Sequence, residues 1–365
     1  MNILYTESSP NIGGQELQAI AQMVAMKQAG HQVVLACRKL SRISEEAKKH
    51  DIRVVYVPFR NSLHLHSICR LRQFVRAFLP AIVVCHSGHD SNIVALTRAF
   101  LPGRTGRFCI IRQKTYLTRK MKMFSLNHLC DIVVVPGAPM KDALLQAGCR
   151  RLVSVVSPGF DFGLLRQEQA EPVPEHIQQW LKARSPAPVI VQTGRLRPEK
   201  GHDFMLSILF DLKRSGYRFY WLIVGGGRPE EERMLRNTIL HLGMDDCVLM
   251  CGQLSPVVPV YRLASLKVMP SRNESFGMSV VEAAACGVPV MASHVGGMPS
   301  VIRDALTGTL LPADDRQAWL DALMCFLTDP TDAREMAARA REDMERRFSI
   351  GLTVNRLLSL GELYR

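Results

Sequence analysis

Short apolar segments alternate with amphipathic segments along the first half of the chain. The apolar segments are rich in Val and Ile: NILYT (2–6), HQVVLAC (31–37), IRVVYVPF (52–59), AIVVC (81–85), RFCIIR (107–112) and DIVVVPG (131–137). Parallel strands that are buried on both faces have such sequences, and crossover helices, such as the one predicted from Gln15 to Ala29, connect them. The first half is therefore predicted to form a doubly wound α/β domain.

The alternation stops and then restarts. Residues 157–176 are rich in Gly, Pro and acidic residues and have no sustained period, which predicts a linker around 158–175. The strand-like segments resume with APVIVQTG (187–194), YRFYWLIVGGG (217–227), CVLMCG (247–252), LKVMPS (266–271) and VPVMAS (288–293). We expect two Rossmann-like parallel-sheet domains, at 1–165 and 166–348, that face each other across a cleft, and a final helical segment at 349–365.

The excess of basic residues lies in the first domain. The chain has a net charge of +13, yet residues 1–166 contain 23 Lys and Arg against 9 Asp and Glu, whereas the remaining residues contain 23 against 24. Such asymmetry indicates that the first domain faces an anionic partner: a membrane surface, nucleic acid or an acidic substrate. A solvated basic face is the alternative.

Composition also indicates a location. The ten Cys residues are scattered, form no CxxC pair and lie mostly in apolar segments, which is typical of a reducing cytosol. No apolar run is long enough for a transmembrane helix, and the N-terminal residues resemble a first strand rather than a signal peptide. We expect a cytoplasmic protein.

Two loops that follow predicted strands could bind phosphate. Gly13 and Gly14 follow the first strand and precede a helix, where a backbone can approach a ligand closely; a tight turn is the more common explanation of a lone Gly-Gly pair. Arg195 and Lys200 lie in the loop RLRPEKG and could clamp a diphosphate at a helix N-terminus, or be two solvated charges.

Two carboxylates lie in the segment NESFGMSVVEAAACGVPV (273–290). Glu274 is predicted to lie in a loop and Glu282 on the helix that follows. Glu282 could instead form a capping box with Ser279, and Glu274 could be a solvated loop residue. Amides and cations suit phosphate, whereas carboxylates suit hydroxyl groups, and a nucleotide sugar contains both.

These segments carry a resemblance to a known family. GRLRPEKG (194–201) and ESFGMSVVEAAACGVPVMAS (274–293) resemble the retaining GT-B-fold glycosyltransferases of family 4 (glycosyl transferases group 1), and GGQE, SPGFD and LIVGGG resemble further motifs of that family. The resemblance implies transfer of a sugar from a nucleoside diphosphate sugar, with retention at the anomeric carbon. It also implies a last helix that crosses back to the first domain.

The resemblance implies a role for each matching residue. Glu274, Arg195 and Lys200 would be catalytic, with Glu274 on the transferred sugar and the two cations on the diphosphate; Glu282 would hold the ribose. The complete donor-binding set would be Gly13, Gly14, Arg195, Lys200, Gly252, Gln253, Leu254, Glu274, Phe276, Gly277, Met278, Ser279 and Glu282.

The acceptor side departs from the family pattern. Many members carry a His after the fifth strand, where this chain has Arg112 and Lys114; His86 is a possible substitute or a structural loop residue. The segment RQKTYLTRKMKMF (112–124) mixes aromatic and apolar residues with the basic residues Arg112, Lys114, Arg119, Lys120 and Lys122. We expect it to meet anionic lipid at the inner face of the cell membrane, or a phosphorylated saccharide. A lipopolysaccharide core or another cell-envelope glycan is the expected acceptor.

Other functions remain open from the sequence. The chain contains no Asp-x-Asp motif, so we expect no metal, and the loop at Gly13 and Gly14 lacks the full G-x-G-x-x-G fingerprint, so no nicotinamide cofactor is indicated; we expect no cofactor. A GT-B enzyme that is not a transferase, such as a nucleotide-sugar epimerase, would share the same donor site. A basic nucleic-acid-binding protein is a further alternative, although no nucleic-acid-binding motif is present and we expect no nucleic-acid partner.

Overall fold

The computed structural model describes residues 1–116 and 123–364. The chain divides into two compact units. The first contains Met1–Asp161 and Phe348–Arg365, and the second contains Phe162–Arg347.

The first unit is built on a seven-stranded parallel sheet with the order β3-β2-β1-β4-β5-β6-β7. Its strands are β1 (Asn2–Glu7), β2 (Gln32–Cys37), β3 (Arg53–Tyr56), β4 (Ile82–Cys85), β5 (Cys109–Gln113), β6 (Ile132–Val135) and β7 (Leu152–Val155). Its crossover helices are α1 (Gly14–Gln28), α2 (Arg42–Lys49), α3 (Leu65–Phe78), α4 (Gly88–Ala99), α5 (Met123–His128) and α6 (Ala138–Gln146).

The second unit repeats the design with a six-stranded parallel sheet of order β10-β9-β8-β11-β12-β13. Its strands are β8 (Val189–Thr193), β9 (Tyr220–Val224), β10 (Val248–Gly252), β11 (Leu266–Met269), β12 (Val290–Ser293) and β13 (Thr309–Leu311). Its helices are α7 (Phe162–Ala170), α8 (Glu175–Lys182), α9 (His202–Arg214), α10 (Pro229–His241), α11 (Met278–Ala285), α12 (Met298–Val301), α13 (Arg316–Thr328) and α14 (Thr331–Phe348). The prediction of two doubly wound parallel-sheet domains is confirmed.

The last helix, α15 (Ile350–Glu362), belongs to the first unit. Its apolar side chains Val354, Leu357 and Leu360 join the core cluster that contains Ile3 and Met23, on the face of the first sheet that α1 also covers. A hydrogen bond of 3.0 Å from Thr353 Oγ1 to the carbonyl oxygen of Ser157 fixes the start of α15.

Three details differ from the sequence prediction. The predicted linker contains helix α7, and the short strands β7 and β13 were not predicted. No helix among the described residues is both long and apolar enough to span a bilayer.

Each sheet has one place where its strand order reverses, between β1 and β4 in the first sheet and between β8 and β11 in the second. Ligands of open parallel sheets bind beyond the carboxyl ends of the strands at such a reversal, because the two loops that leave it diverge. In the second unit these are the loops that carry Lys200 and Glu274.

Candidate active site

An ion pair joins the two loops at the reversal of the second sheet. Lys200 Nζ lies 2.5 Å from Glu274 Oε2, and both side chains remain partly accessible, with 23% and 15% of their surfaces exposed. Lys200 follows β8 and Glu274 follows β11, so residues 74 positions apart in sequence meet at one strand-end site. The sequence predicted both residues but not their direct contact.

Close backbone packing holds these loops together. Gly201 has φ of +70°, and a methyl group at its Cα would collide with the carbonyl oxygen of Pro270. The loop after β12 supports the other side, because the amide of Gly297 donates a hydrogen bond of 2.9 Å to the carbonyl oxygen of Glu274. Lys200 and Glu274 are thus placed by loops that fit against each other without side chains between them.

Helix α11 begins at Met278, one turn after Glu274. Gly277 is the N-cap with φ of +98°, and a Cβ there would lie 2.6 Å from Met298 Sδ. Because the helix starts at Met278, Ser279 lies inside its first turn and cannot be the N-cap. The alternative in which Ser279 and Glu282 form a capping box is therefore excluded, and Glu282 does not have that structural role.

Glu282 is half-buried in α11, and no hydrogen bond satisfies its carboxylate within the described chain. Burial raises the pKa of Glu282 to about 7, against the opposing effect of Lys267 and with a smaller contribution from Glu168. A carboxylate in this state gains stability from hydroxyl donors, since hydrogen bonds to the charged form favour it.

Several other buried polar atoms near these loops lack hydrogen-bond partners among the described residues. They are Gln192 Oε1 in β8, His202 Nε2 at the start of α9, Ser271 Oγ after β11, Ser279 Oγ in α11 and Ser293 Oγ at the end of β12. Buried polar atoms are normally paired, so a cluster of unpaired ones at a sheet edge favours a ligand or water site.

The remaining predicted donor residues of the second unit lie around this edge. Arg195 is exposed in the loop after β8, and Phe276 is buried just before α11. Gly252 ends β10, and Gln253 and Leu254 follow it; the amide of Gly225 donates a hydrogen bond of 2.8 Å to the carbonyl oxygen of Gly252.

Gly13 and Gly14 lie in the first unit, between β1 and α1. Gly13 is the N-cap of α1 in an extended conformation, and its amide donates a hydrogen bond of 2.8 Å to Glu16 Oε2. The predicted contact of these two glycines with a donor stays a prediction.

His86 is buried beyond the end of β4, stacked on the ring of Tyr5. Its Nδ1 lies 3.2 Å from the carbonyl oxygen of Thr6, and its Nε2 lies 2.8 Å from Gln113 Oε1. Burial lowers the pKa of His86, with nearby Asp90 opposing the change. These contacts hold the ring within the first unit, and its predicted acceptor role stays a prediction.

The basic residues predicted to face an acceptor or a membrane are only partly described. Arg112 is 11% exposed and its Nη1 lies 3.5 Å from Asp90 Oδ1, so it faces the unit interior. Lys114 is half-buried with its Nζ 5.6 Å from the centre of the Tyr116 ring. Arg119, Lys120 and Lys122 lie outside the described residues.

Two buried charged residues were missed by sequence reasoning. Glu7 lies at the end of β1, where burial and nearby Asp90 raise its pKa to about 8, while Ser9 N donates a hydrogen bond of 2.8 Å to its Oε1. Lys267 lies in β11 with no exposed surface. The only sequence signal for each is a charged residue within an otherwise apolar strand.

Comparison with known families agrees with this architecture. The model of Glycosyltransferase Family 4 matches residues 12–163, and the model of Glycosyl transferases group 1 matches residues 174–343. Between them the two matches cover most of the chain and every strand of the two sheets except β1. The chain therefore belongs to the GT-B glycosyltransferases of family 4, as the sequence motifs predicted.

Individual proteins extend the comparison. A D-inositol 3-phosphate glycosyltransferase of Saccharomonospora viridis is 33% identical over 219 residues, which is 57% of this chain and 49% of that protein. The chain thus spans about half the length of the curated relatives it matches. A glycosyltransferase structure from Rickettsia africae has a TM-score of 0.86 at 19% identity, covering 100% of this chain and 98% of that one. HepE of Anabaena, solved with UDP and glucose, has a TM-score of 0.81 at 18% identity and 98% coverage of both chains. The two structures share the fold.

Proposed function

We propose that this protein transfers a sugar from a nucleoside diphosphate sugar to a hydroxyl group of a saccharide or lipid-linked acceptor, with retention at the anomeric carbon. The observation that carries the proposal is the Lys200–Glu274 pair at the strand reversal of the second sheet, next to the N-terminus of α11. A cation and a carboxylate within one hydrogen bond of each other match a ligand in which phosphate and sugar hydroxyls are neighbours.

The proposed roles follow from charge and position. Lys200 and the exposed Arg195 bind the diphosphate, and the amides at the start of α11 add their partial positive charge. Glu274 accepts hydrogen bonds from the transferred sugar, and Glu282, without a protein donor, accepts those of the ribose. The pair in the free protein keeps both side chains in place until a donor arrives.

The chemical step needs stabilisation of a leaving diphosphate. As the glycosidic bond to the diphosphate breaks, negative charge grows on the phosphate oxygens and positive charge grows on the sugar ring. Lys200 and Arg195 are placed to stabilise the former, and Glu274 the latter, by electrostatic preorganisation. We propose that a phosphate oxygen accepts the proton of the attacking hydroxyl on the same face of the sugar, which retains the anomeric configuration.

Because side-chain cations carry the leaving-group charge in this proposal, sugar transfer should survive EDTA. The protein should be incubated with UDP-hexoses and saccharide acceptors in EDTA, and the anomeric configuration of the product read by NMR. A donor-only reaction distinguishes an epimerase, which needs no acceptor. Activity that EDTA removes and magnesium or manganese restores would assign the leaving-group charge to a metal ion.

We propose that the acceptor is anionic or is presented at an anionic membrane, as in synthesis of lipopolysaccharide or another cell-envelope glycan. The support is the concentration of basic residues in the first 166 residues. Tyr116 and Phe124, which flank the basic stretch between them, are 57% and 72% exposed and could enter the lipid headgroup region. Attachment would then be peripheral.

Replacing Lys114, Arg119, Lys120 and Lys122 with Gln should release the protein from vesicles that contain anionic lipid. Each basic residue near such a surface contributes about 1 kcal/mol, and the field decays over about 8 Å at physiological salt. Binding of the wild-type protein in a sedimentation assay should therefore fall steeply as salt rises, and neutral vesicles should not bind it. Arg112 is left unchanged because it contacts Asp90.

The matched control removes four exposed arginines of the second unit, Arg233, Arg236, Arg334 and Arg341. It has the same net charge as the test variant and should still bind vesicles. Equal loss of binding in both variants would show that net charge, not this stretch, drives attachment. If the wild-type protein binds neither kind of vesicle, the membrane part of the proposal is wrong and a soluble anionic acceptor replaces it.

A further inference from the structure

Lys267 is a buried amine that forms no ion pair with any of the described residues. Its side chain lies in the centre of the second sheet, between β8 and β12, with no exposed surface. Its amine donates one hydrogen bond, of 2.9 Å, to Thr193 Oγ1. Among the described residues it forms no ion pair within 4.0 Å, and the nearby Glu274 is bound to Lys200. Buried charges are costly unless they are paired.

The amine is connected to the helix that begins the proposed phosphate site. Thr193 Oγ1 lies 3.2 Å from Tyr261 Oη, and Tyr261 Oη donates a hydrogen bond of 3.2 Å to the carbonyl oxygen of Ser279, in the first turn of α11. The three bonds have one consistent direction, from Lys267 through the two hydroxyls to the helix. Thr193 ends β8 and Lys267 lies in β11, so the connection crosses the strand reversal itself.

The charges around the amine are of both signs. Burial, reinforced by the positive charge of Lys200, lowers the pKa of Lys267 to about 7, while Glu282 and Glu274 act in the opposite direction. The titratable groups that face it from the packed elements are Lys200 in the loop after β8, His202 in α9, Tyr261 before β11, Glu274 in the loop after β11 and Glu282 in α11. His202 is neutral near pH 7, because burial followed by Lys267 and Lys200 lowers its pKa to about 4.

We propose that Lys267 is a positioning residue of the donor site whose missing counter-charge is the diphosphate of the donor, so that donor binding takes up one proton onto Lys267. This inference rests on the proposed function. The amine is connected to the first turn of α11 through Thr193 and Tyr261, and in this proposal it acts through the positive charge that it adds near that turn rather than by touching the phosphate. A bound diphosphate stabilises the ammonium form, and the ammonium form in turn strengthens binding of the diphosphate.

The coupling between UDP binding and protonation of Lys267 determines how the affinity changes with pH. If binding raises the proton affinity of Lys267, the complex holds more protons than the free protein above pH 7, and binding weakens as pH rises. The dissociation constant should increase above pH 7 and should approach a rise of about tenfold per pH unit between pH 8 and pH 9, where the free amine has lost most of its proton. The last ionisation of a phosphate group falls near pH 6, so the ligand's own titration does not contribute in this range.

The test is calorimetric titration of the full chain with UDP at pH 8, in buffers of different ionisation enthalpy. Wild-type protein should take up close to one proton per UDP bound. Lys267→Met, which replaces a buried amine with an apolar chain of similar length, should bind UDP more weakly, lose most of the proton uptake and show a flatter affinity than wild type between pH 8 and 9, above the pKa of about 7 of Glu282. Lys213→Met, which removes a lysine of a surface pair with Asp246, should behave as wild type.

A second variant keeps the lysine and alters its environment. Thr193→Val conserves volume but removes the hydroxyl that accepts from Lys267 and donates to Tyr261. The ammonium form then loses a hydrogen bond, and the decline of affinity should begin at lower pH than in wild type. This variant tests the proposal even if Lys267→Met does not fold.

The outcomes separate two failures. UDP binding with no proton uptake in wild type, or with uptake that persists in Lys267→Met, overturns the role of Lys267 and leaves the proposed function intact. If the folded wild-type protein binds none of UDP, ADP, GDP and CDP at any pH, both are overturned, since the inference requires the nucleoside diphosphate site.

Discussion

Replacement of Glu274 with Ala should lower the turnover number for sugar transfer by about 10²–10³-fold, the loss typical of removing one preorganised electrostatic group from an active site. Glu274 is the carboxylate proposed to bond the transferred sugar, and its contact with Lys200 at 2.5 Å orients both side chains. Because both are partly exposed, Lys200 can turn towards solvent in the variant. The free energy of unfolding should therefore fall by only about 1–2 kcal/mol.

Two further variants separate the catalytic role of Glu274 from its contact with Lys200. Glu274→Gln keeps the shape and can still accept a hydrogen bond from Lys200 but lacks the charge, so it should retain wild-type melting and still lose most transfer. Asp246→Ala breaks another lysine–carboxylate contact of 2.5 Å, with Lys213, outside the site, and should leave turnover unchanged. Near-normal turnover in Glu274→Ala, or unfolding of that variant, would contradict the assigned role.

Replacement of Gly201 with Ala should destabilise the second unit and damage the site at the same time. The left-handed conformation of Gly201 alone costs about 1–2 kcal/mol for a residue with a Cβ. Collision of that Cβ with the carbonyl oxygen of Pro270 forces the two loops apart and should add about 1–3 kcal/mol. Since Gly201 follows Lys200 and Pro270 precedes the Glu274 loop, the displacement separates the pair. A misplacement of about 1 Å can lower turnover about 10²-fold.

Gly216 provides the matched control, because it lies just after the other end of α9 with φ of +87°, and a Cβ at this position would have no neighbouring atom within 4 Å. Gly216→Ala should therefore lose only the conformational part of the free energy of unfolding and keep full transfer. Denaturant unfolding of both variants gives the difference. Equal losses of stability in Gly201→Ala and Gly216→Ala would show that a Cβ at residue 201 does not collide with Pro270.

Most strands and helices could be predicted because the residue pattern within each segment is enough to identify its secondary structure. Buried parallel strands such as β4 and β6 are apolar throughout, and the long terminal helices are separated by recognisable breaks. The strands β7 and β13 escaped prediction because four residues, LVSV, and three residues, TLL, are too short to show a period. Helix α7 was not predicted because the Gly and Pro residues on either side of it indicate a linker.

The sequence predicted which residues form the site, but not which of them contact each other. Strand-end loops and family motifs pointed to Lys200 and Glu274, yet only the strand order brings them within one hydrogen bond. The sequence left a capping box open for Glu282, because the helix start depends on Gly277 packing against Met298, a residue 21 positions later. Lys267 was missed because a lysine in a short strand is normally taken as exposed, and its burial depends on the strands that flank it on both sides.

The placement of α15 in the first unit has a consequence for how the chain folds during synthesis. Domains usually fold in the order in which they leave the ribosome. Here residues 162–347 form one contiguous unit, whereas the core around Ile3 and Met23 receives Val354, Leu357 and Leu360 only after the second unit has been translated. Until α15 is translated, part of one apolar face of the N-terminal sheet stays uncovered. The second unit can therefore complete its hydrophobic core before the first unit does. A nascent chain that stalls before residue 350 would expose that face to chaperones.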